Sequence, residues 1–250
     1  MAVSIKSARE IELMREAGKR LAHVHQELEA MIAPGISTWE IDAKGEKLIR
    51  DCGCIPNFLH YNGYPASICV SVNDEVVHGI PRKDRYLKEG DIVSLDAGLI
   101  YKGYHSDAAR THAVGKVSTE AQKLMDITKQ SFFEGIKMAK EGQHLHDISR
   151  AIEEYVTPYG YGIVRDLVGH GIGTALHEDP QIPNYAQKRR GVRLQAGMTL
   201  AIEPMINAGT WQVRFLRDGW TVVTKDGSLS AHYENTILVT DGEPEILTLY

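Results

Sequence analysis

The segment Leu87-Lys88-Glu89-Gly90-Asp91-Ile92-Val93-Ser94-Leu95-Asp96 reads as a glycine turn feeding a buried strand that ends on an acid. It recurs, altered, as Leu194-Gln195-Ala196-Gly197-Met198-Thr199-Leu200-Ala201-Ile202-Glu203. An ionised carboxylate inside an apolar strand is costly without a partner. Two such acids at matching places of a repeated element imply a built site. The repeat extends outward. His78-Gly79-Ile80 precedes the first copy and His170-Gly171-Ile172 the second; His105-Ser106-Asp107 follows the first and His232-Tyr233-Glu234 the second. Three matched elements in one order imply two homologous halves, about 1–115 and 116–250, within one domain.

Around these copies the pattern is helix, helix, then strands, in each half. Ser7-Ala8-Arg9-Glu10 and Ser37-Thr38-Trp39-Glu40 are capping boxes, and Thr119-Glu120-Ala121-Gln122 reads as a third. Ile11, Met14, Leu21, Val24, Leu28 and Ile32 recur at helical spacing up to Pro34-Gly35, and His23 and His25 on that helix are expected at the surface. A second helix is expected over 147–159. Asp91 to Ile100 and Tyr104 to Val114 flank Lys102-Gly103 as a hairpin, and Asp226-Gly227 marks another. By period two, Ser94, Asp96 and Gly98 share one strand face and Val93, Leu95 and Ala97 the other. The acid face is lined by small residues and leaves room. Further strands are expected at Ser67 to Asn73, Gly162 to Val168, Met198 to Met205, Trp220 to Thr224 and Leu229 to Thr240, with a long polar loop from Gly173 to Gly191 rimming a cleft.

The composition is that of an ordinary soluble globular protein: 250 residues, 43% hydrophobic and 24% charged, with a net charge of −5. That charge gives no basic footprint for nucleic acid or an anionic membrane, and no apolar run is long enough to span a bilayer. Cys52, Cys54 and Cys69 leave one thiol over in any pairing scheme, so a reducing cytoplasm is expected. No Gly-x-Ser-x-Gly elbow, phosphate loop or dinucleotide fingerprint occurs.

Superposing the halves brings Asp96, Asp107, Glu203 and Glu234 toward one centre. Two unit charges ~4 Å apart interact by roughly 4 kcal/mol at an effective dielectric near 20, so four carboxylates need protons or cations. Two divalent cations would neutralise them, with His170 adding a nitrogen. Oxygen-rich ligation with one imidazole and no thiolate suits Mn, Fe(II) or Co. Such a pair activates water and clamps both oxygens of a hydrolytic transition state. The plain alternative is a set of separate salt bridges to Arg110, Arg193, Arg214 or Arg217.

These residues resemble a known family. Asp96, Asp107, His170, Glu203 and Glu234, in that order, are similar to the metal-ligand set of the methionine aminopeptidases. So are Tyr61-Asn62-Gly63-Tyr64-Pro65, Asn73-Asp74-Glu75-Val76-Val77-His78-Gly79-Ile80-Pro81, Gly169-His170-Gly171-Ile172-Gly173, Glu203-Pro204-Met205 and Ala231-His232-Tyr233-Glu234-Asn235-Thr236. The resemblance covers nearly the whole chain and is to the short bacterial type I form. It implies the pita-bread fold, with pseudo-twofold halves around a central antiparallel groove, and a dimetal site. Asp107 and Glu234 would bridge the metals, Asp96 would hold one, and His170 with Glu203 the other. Glu203 would also act as general base. His78 and His177 would contact substrate. Tyr61, Tyr64, Cys69 and Trp220 would form the methionine pocket, with Phe58 and Leu176 at neighbouring positions that vary. The implied reaction is removal of N-terminal methionine from peptides and nascent proteins with a small second residue. A monomer with at most a transient ribosome contact is expected. Two competing functions share the fold: an Xaa-Pro aminopeptidase or prolidase, which resembles a longer chain, and a non-catalytic peptide binder, which typically lacks metal ligands.

Overall fold

The computed structural model describes residues 3–249. Its helices start where local chemistry satisfies their first N–H groups. Ser7 caps α1 (Ala8–Glu29) and Ser37 caps α2 (Thr38–Asp51), each in a reciprocal box with Glu10 or Glu40. For α3 (Thr119–Ile136) the cap is Ser118, one residue earlier than expected; its hydroxyl accepts from Ala121 N–H, and no box forms. The fourth helix, α4 (Leu145–Val156), is capped at His144, whose N–H donates to Asp147 Oδ2 at 3.0 Å, so it starts before the expected Asp147. α1 ends at Glu29, short of Pro34-Gly35.

The strands meet in a nine-stranded sheet among the described residues. Its spine pairs Ile92–Tyr101 with Tyr104–Ala113, then Glu234–Leu238, Thr199–Ile202, Gly169–Gly171 and Glu178–Ile182, while Ile68–Val72 pairs along Ile92–Tyr101. Lys102 and Gly103 both have positive φ, 49° and 85°, as a tight primed hairpin turn requires. The two copies of the repeat are alike in detail. Gly90 and Gly197 have φ of 90° and 91°, a region open to glycine. Gly90 N–H donates to Val114 O at 3.0 Å and Gly197 N–H to Val239 O at 2.9 Å. The return bonds, Val114 N–H to Asp91 O and Val239 N–H to Met198 O, are both 2.9 Å. The halves are therefore related by a pseudo-twofold through the central seam, where Tyr104–Ala113 meets Glu234–Leu238.

One face of this sheet is covered by helices. α1 and α2 bury Leu21, Val24, Leu28, Ile41 and Ile49 with Val93, Leu95, Ala97 and Leu99. α3 and α4 bury Leu124, Phe132, Ile148 and Ile152 with Leu200 and Ile202. The opposite, uncovered face carries the acids. The fold is thus the α+β pita-bread arrangement.

Several expectations are corrected. His25 is fully buried, with Nε2 2.8 Å from Ala108 O; only His23 of that pair is exposed. The 173–191 segment is not all loop, because Glu178–Ile182 pairs with Gly169–Gly171. Only Gly162–Ile163 of the expected Gly162–Val168 strand is extended in a ladder. Chain turns at Asp226-Gly227, but the flanking strands do not pair: Val222–Thr224 pairs with Val213–Phe215 and Glu75–Val77, and Ser230–His232 with Met205–Asn207. No helix among the described residues is long and apolar enough to cross a membrane.

The first helix, α1, is pinned against the C-terminal segment by a contact that leaves no slack. A Cβ on Gly18 of α1 would stand 2.1 Å from Leu247 O. Alanine normally stabilises a helix interior by ~1 kcal/mol over glycine. Here Gly18→Ala is expected to destabilise by about 1–3 kcal/mol through overpacking, read as a lower urea midpoint.

Candidate metal centre and substrate cleft

Strand register explains why the acids converge. Asp96 lies opposite Ala109, which also lies opposite Glu234. Side chains directly opposite one another share a face, so Asp96, Ala109 and Glu234 line up across three strands with only a methyl in the middle. Asp107, two residues from Ala109, joins them and lies opposite Gly98. In the second half, Asn235 pairs with Ile202 and His170 with Ala201. Glu234 and Glu203 therefore meet at the end of their ladder, and Glu203 shares a face with Ala201 and His170.

The central seam is held open by threonines. Thr236 Oγ1 donates to Asp107 O at 2.9 Å and accepts from Asp107 N–H at 3.0 Å. At the other end, Thr111 Oγ1 donates to His232 O at 2.9 Å and accepts from His232 N–H at 2.8 Å. Hydroxyls replace direct ladder bonds on both sides of the paired Ala108 and Ala109, which spreads the strands at the acids. Arg110 points to the helix face, where it donates to Glu234 O, Ala109 O, Asn235 Oδ1 and Thr248 O. It braces the main chain beneath the cluster.

Within the cluster, ligand atoms of Asp107, His170 and Glu234 lie within 4.8 Å of one another, and all three residues are buried. His170 Nε2 is 3.6 Å from Glu203 Oε1 and 3.9 Å from Asp107 Oδ2. His170 Nδ1 is 2.9 Å from Gly171 O, so that nitrogen carries the proton and Nε2 offers a lone pair. Asp96 Oδ1, Asp107 Oδ1 and Glu234 Oε1 are buried without hydrogen-bond partners. Orphaned carboxylate oxygens beside a free imidazole nitrogen, with no thiolate, fit hard or borderline divalent cations.

Electrostatics carry the same message. Burial pushes the Asp96 carboxyl up to about 7. Burial, then the neighbouring acids, hold Asp107, Glu203 and Glu234 well above the usual carboxylate range. Burial also lowers His170 to about 3 and His78 to about 4, so both are neutral imidazoles near pH 7.

A cavity of about 220 Å³ opens onto this centre. All the residues expected from the sequence line it: Asp96, Asp107, His170, Glu203 and Glu234 at one end, His78 and His177 beside them, and Tyr61, Tyr64, Cys69 and Trp220 around the rest, with Phe58 and Leu176. Tyr64 stacks edge-on to Trp220 at 5.2 Å and gives its hydroxyl to Gly79 O at 2.8 Å. His78 has a φ of 59°, a strained left-handed conformation at the cleft wall. The His177 ring sits 4.3 Å from that of His170, and its Nδ1 is 2.8 Å from the Tyr61 hydroxyl. Sequence reading missed Asn62, which also lines the cleft. It also gave no role to His232, whose Nε2 lies 3.8 Å from both Glu203 and Glu234. Its place two residues before Glu234 was the available signal.

Fold and site together define a metal-dependent peptidase. The model of metallopeptidase family M24 matches residues 12–241, and the chain belongs to that family. It is 53% identical, over 99% of both chains, to the methionine aminopeptidase of Clostridium acetobutylicum. The crystal structure of methionine aminopeptidase from Thermotoga maritima superposes with a TM-score of 0.97 at 46% identity, covering all of both chains. An Xaa-Pro dipeptidase from Bacillus anthracis superposes at 0.79 with 27% identity, covering 98% of this chain but 61% of that one.

The pKa pattern sets a pH dependence. In the metal-free folded chain these acids keep protons to higher pH than in the unfolded chain. Between about pH 4 and 7, unfolding then releases protons, and stability falls as pH rises. Urea midpoints measured with chelator should decline across that window. Excess Mn²⁺ should flatten or reverse the slope, because cations favour the ionised form.

Proposed function

We propose that the chain is a methionyl aminopeptidase that removes N-terminal methionine from peptides and nascent proteins whose second residue is small. The observation that carries the reading is the set of orphaned carboxylate oxygens beside His170, at the end of an aromatic and thiol-lined cavity. Two divalent cations, drawn from Co, Mn or Fe(II), would be held by Asp96, Asp107, His170, Glu203 and Glu234, with Asp107 and Glu234 shared. When bound they supply Lewis-acid polarisation of the scissile carbonyl and of the attacking water. The halves at about 1–115 and 116–250 act as one catalytic domain, the first giving Asp96 and Asp107 and the second the other ligands.

The remaining steps belong to side chains. Glu203 takes the proton from water at a carboxylate oxygen and passes it toward the leaving amine. The Tyr61 hydroxyl lies 2.8 Å from His177 Nδ1; in the tautomer where the hydroxyl donates, the His177 proton sits on Nε2, where it meets the developing oxyanion. Neutral His78 offers a second polar contact across the cleft. Tyr64, Cys69 and Trp220 with Tyr61 receive the unbranched thioether, a polarizable group that packs well on aromatic faces. The buried Cys69 thiol is pushed up by burial and by Asp96, so it stays protonated and acts as wall rather than nucleophile. The three cysteines are free, as a reducing cytoplasm would keep them. A monomer meeting its substrate by transient contact at the ribosome completes the reading.

The competing Xaa-Pro activity is separated by substrate. Chelated protein should be inactive, and added Co²⁺ or Mn²⁺ should restore hydrolysis of Met-Ala-Ser but not of Ala-Pro-Ala. Activity that survives chelation, or equal rates on Met-Ala, Lys-Ala and Asp-Ala peptides, would overturn the proposal.

A further inference from the structure

The segment before α1 packs against the second half. Val3 packs against the core under α3 and α4, and Lys6 N–H donates to Gly197 O at 2.8 Å, on the turn that feeds Glu203. The Lys6 side chain then runs to the 173–178 segment. Its ammonium meets Glu178 Oε2 at 2.7 Å, with only 5% of the lysine side chain and 16% of the glutamate exposed. Ser4 hydroxyl donates to the same oxygen at 2.8 Å.

An ammonium so far removed from water requires an anionic partner. Apolar residues could anchor this segment equally well, so an ion pair here needs a further reason. Glu178 supplies one. Its other oxygen, Oε1, accepts Ala175 N–H at 3.2 Å and the Thr174 hydroxyl at 3.4 Å. One carboxylate therefore closes the turn from Thr174 to Glu178 and ties it to Lys6. His177 is the residue immediately before Glu178, and its ring is otherwise held by the Tyr61 hydroxyl. Contact between lysine and turn is direct: a Cβ on Gly173 would stand 2.5 Å from Lys6 Cε. Burial alone would push the Glu178 carboxyl up; the bonds from Lys6 and Ser4 hold it below its usual range, fully ionised.

We infer that Lys6 is a positioning residue for His177, acting through its buried ion pair with Glu178. The inference rests on the oxyanion role of His177 proposed above. Displacing an oriented group by about 1 Å can lower turnover ~100-fold.

The test uses full-length, metal-loaded protein and Met-Ala-Ser. Lys6→Met should lower kcat about 10- to 100-fold, with KM and metal stoichiometry unchanged. Lys6→Arg should recover most of the loss. Residues acting as a unit are non-additive, so Lys6→Met placed in His177→Ala should cause no further loss. Glu178→Gln repeats the test if Lys6→Met fails to fold. Normal kcat in Lys6→Met beside a crippled His177→Ala overturns this inference alone. So does a full additive loss in the double variant, or loss of metal. Near-normal turnover in His177→Ala removes the role of His177, and this inference with it.

Discussion

The structure depends on the mutual repulsion of Asp96, Asp107, Glu203 and Glu234 on the sheet face that floors a narrow cleft. Each close pair carries roughly 4 kcal/mol at an effective dielectric near 20. The local fold offsets only part of this, chiefly through the positive charge of Arg110 near Glu234. Arg110 reaches main-chain oxygens on the other face, and the nearest cation-forming groups, His170 and His232, are driven to the neutral form by burial, each to about 3. The carboxyls accordingly hold protons far above their usual range in the metal-free chain. Cations are the alternative, and the orphaned oxygens are the places for them.

That constraint accounts for much of the surrounding chain. Ala109 and Ala201 stand where larger side chains would fill the centre. Thr111 and Thr236 spread the seam without leaving main-chain groups unpaired. The repeated turn delivers one acid from each half, so a pseudo-twofold doubles a single strand-end carboxylate into a binding centre. Two helical pairs seal the back, and the cleft forms where the halves leave the front uncovered.

Much of this was legible in sequence because it follows short periods. The Lys102-Gly103 hairpin and period-two alternation put Asp96 and Asp107 on one face, as observed. Ser7 and Ser37 announced their helices through side-chain chemistry within four residues. At Ser118 the adjacent Thr119 with Gln122 offered an equally good box, and only geometry chose between them. His25 was misjudged as a polar residue, although it falls in the stripe of Leu21, Val24 and Leu28 that the core buries. Asp226-Gly227 turns the chain as its residues dictate, yet its strands pair elsewhere, because distant partners decide strand pairing. The Lys6–Glu178 pair left no periodic trace, because it joins segments far apart in sequence.

The central claim is that protons and divalent cations compete for one carboxylate cluster. Calorimetric titration of chelator-stripped protein with Mn²⁺ near pH 6.5, repeated in buffers of different ionisation enthalpy, counts the protons displaced. The account predicts net release of at least one proton per protein, shrinking as pH rises well above the Asp96 value of about 7. Binding with no buffer dependence would mean the acids are already ionised, and would contradict it.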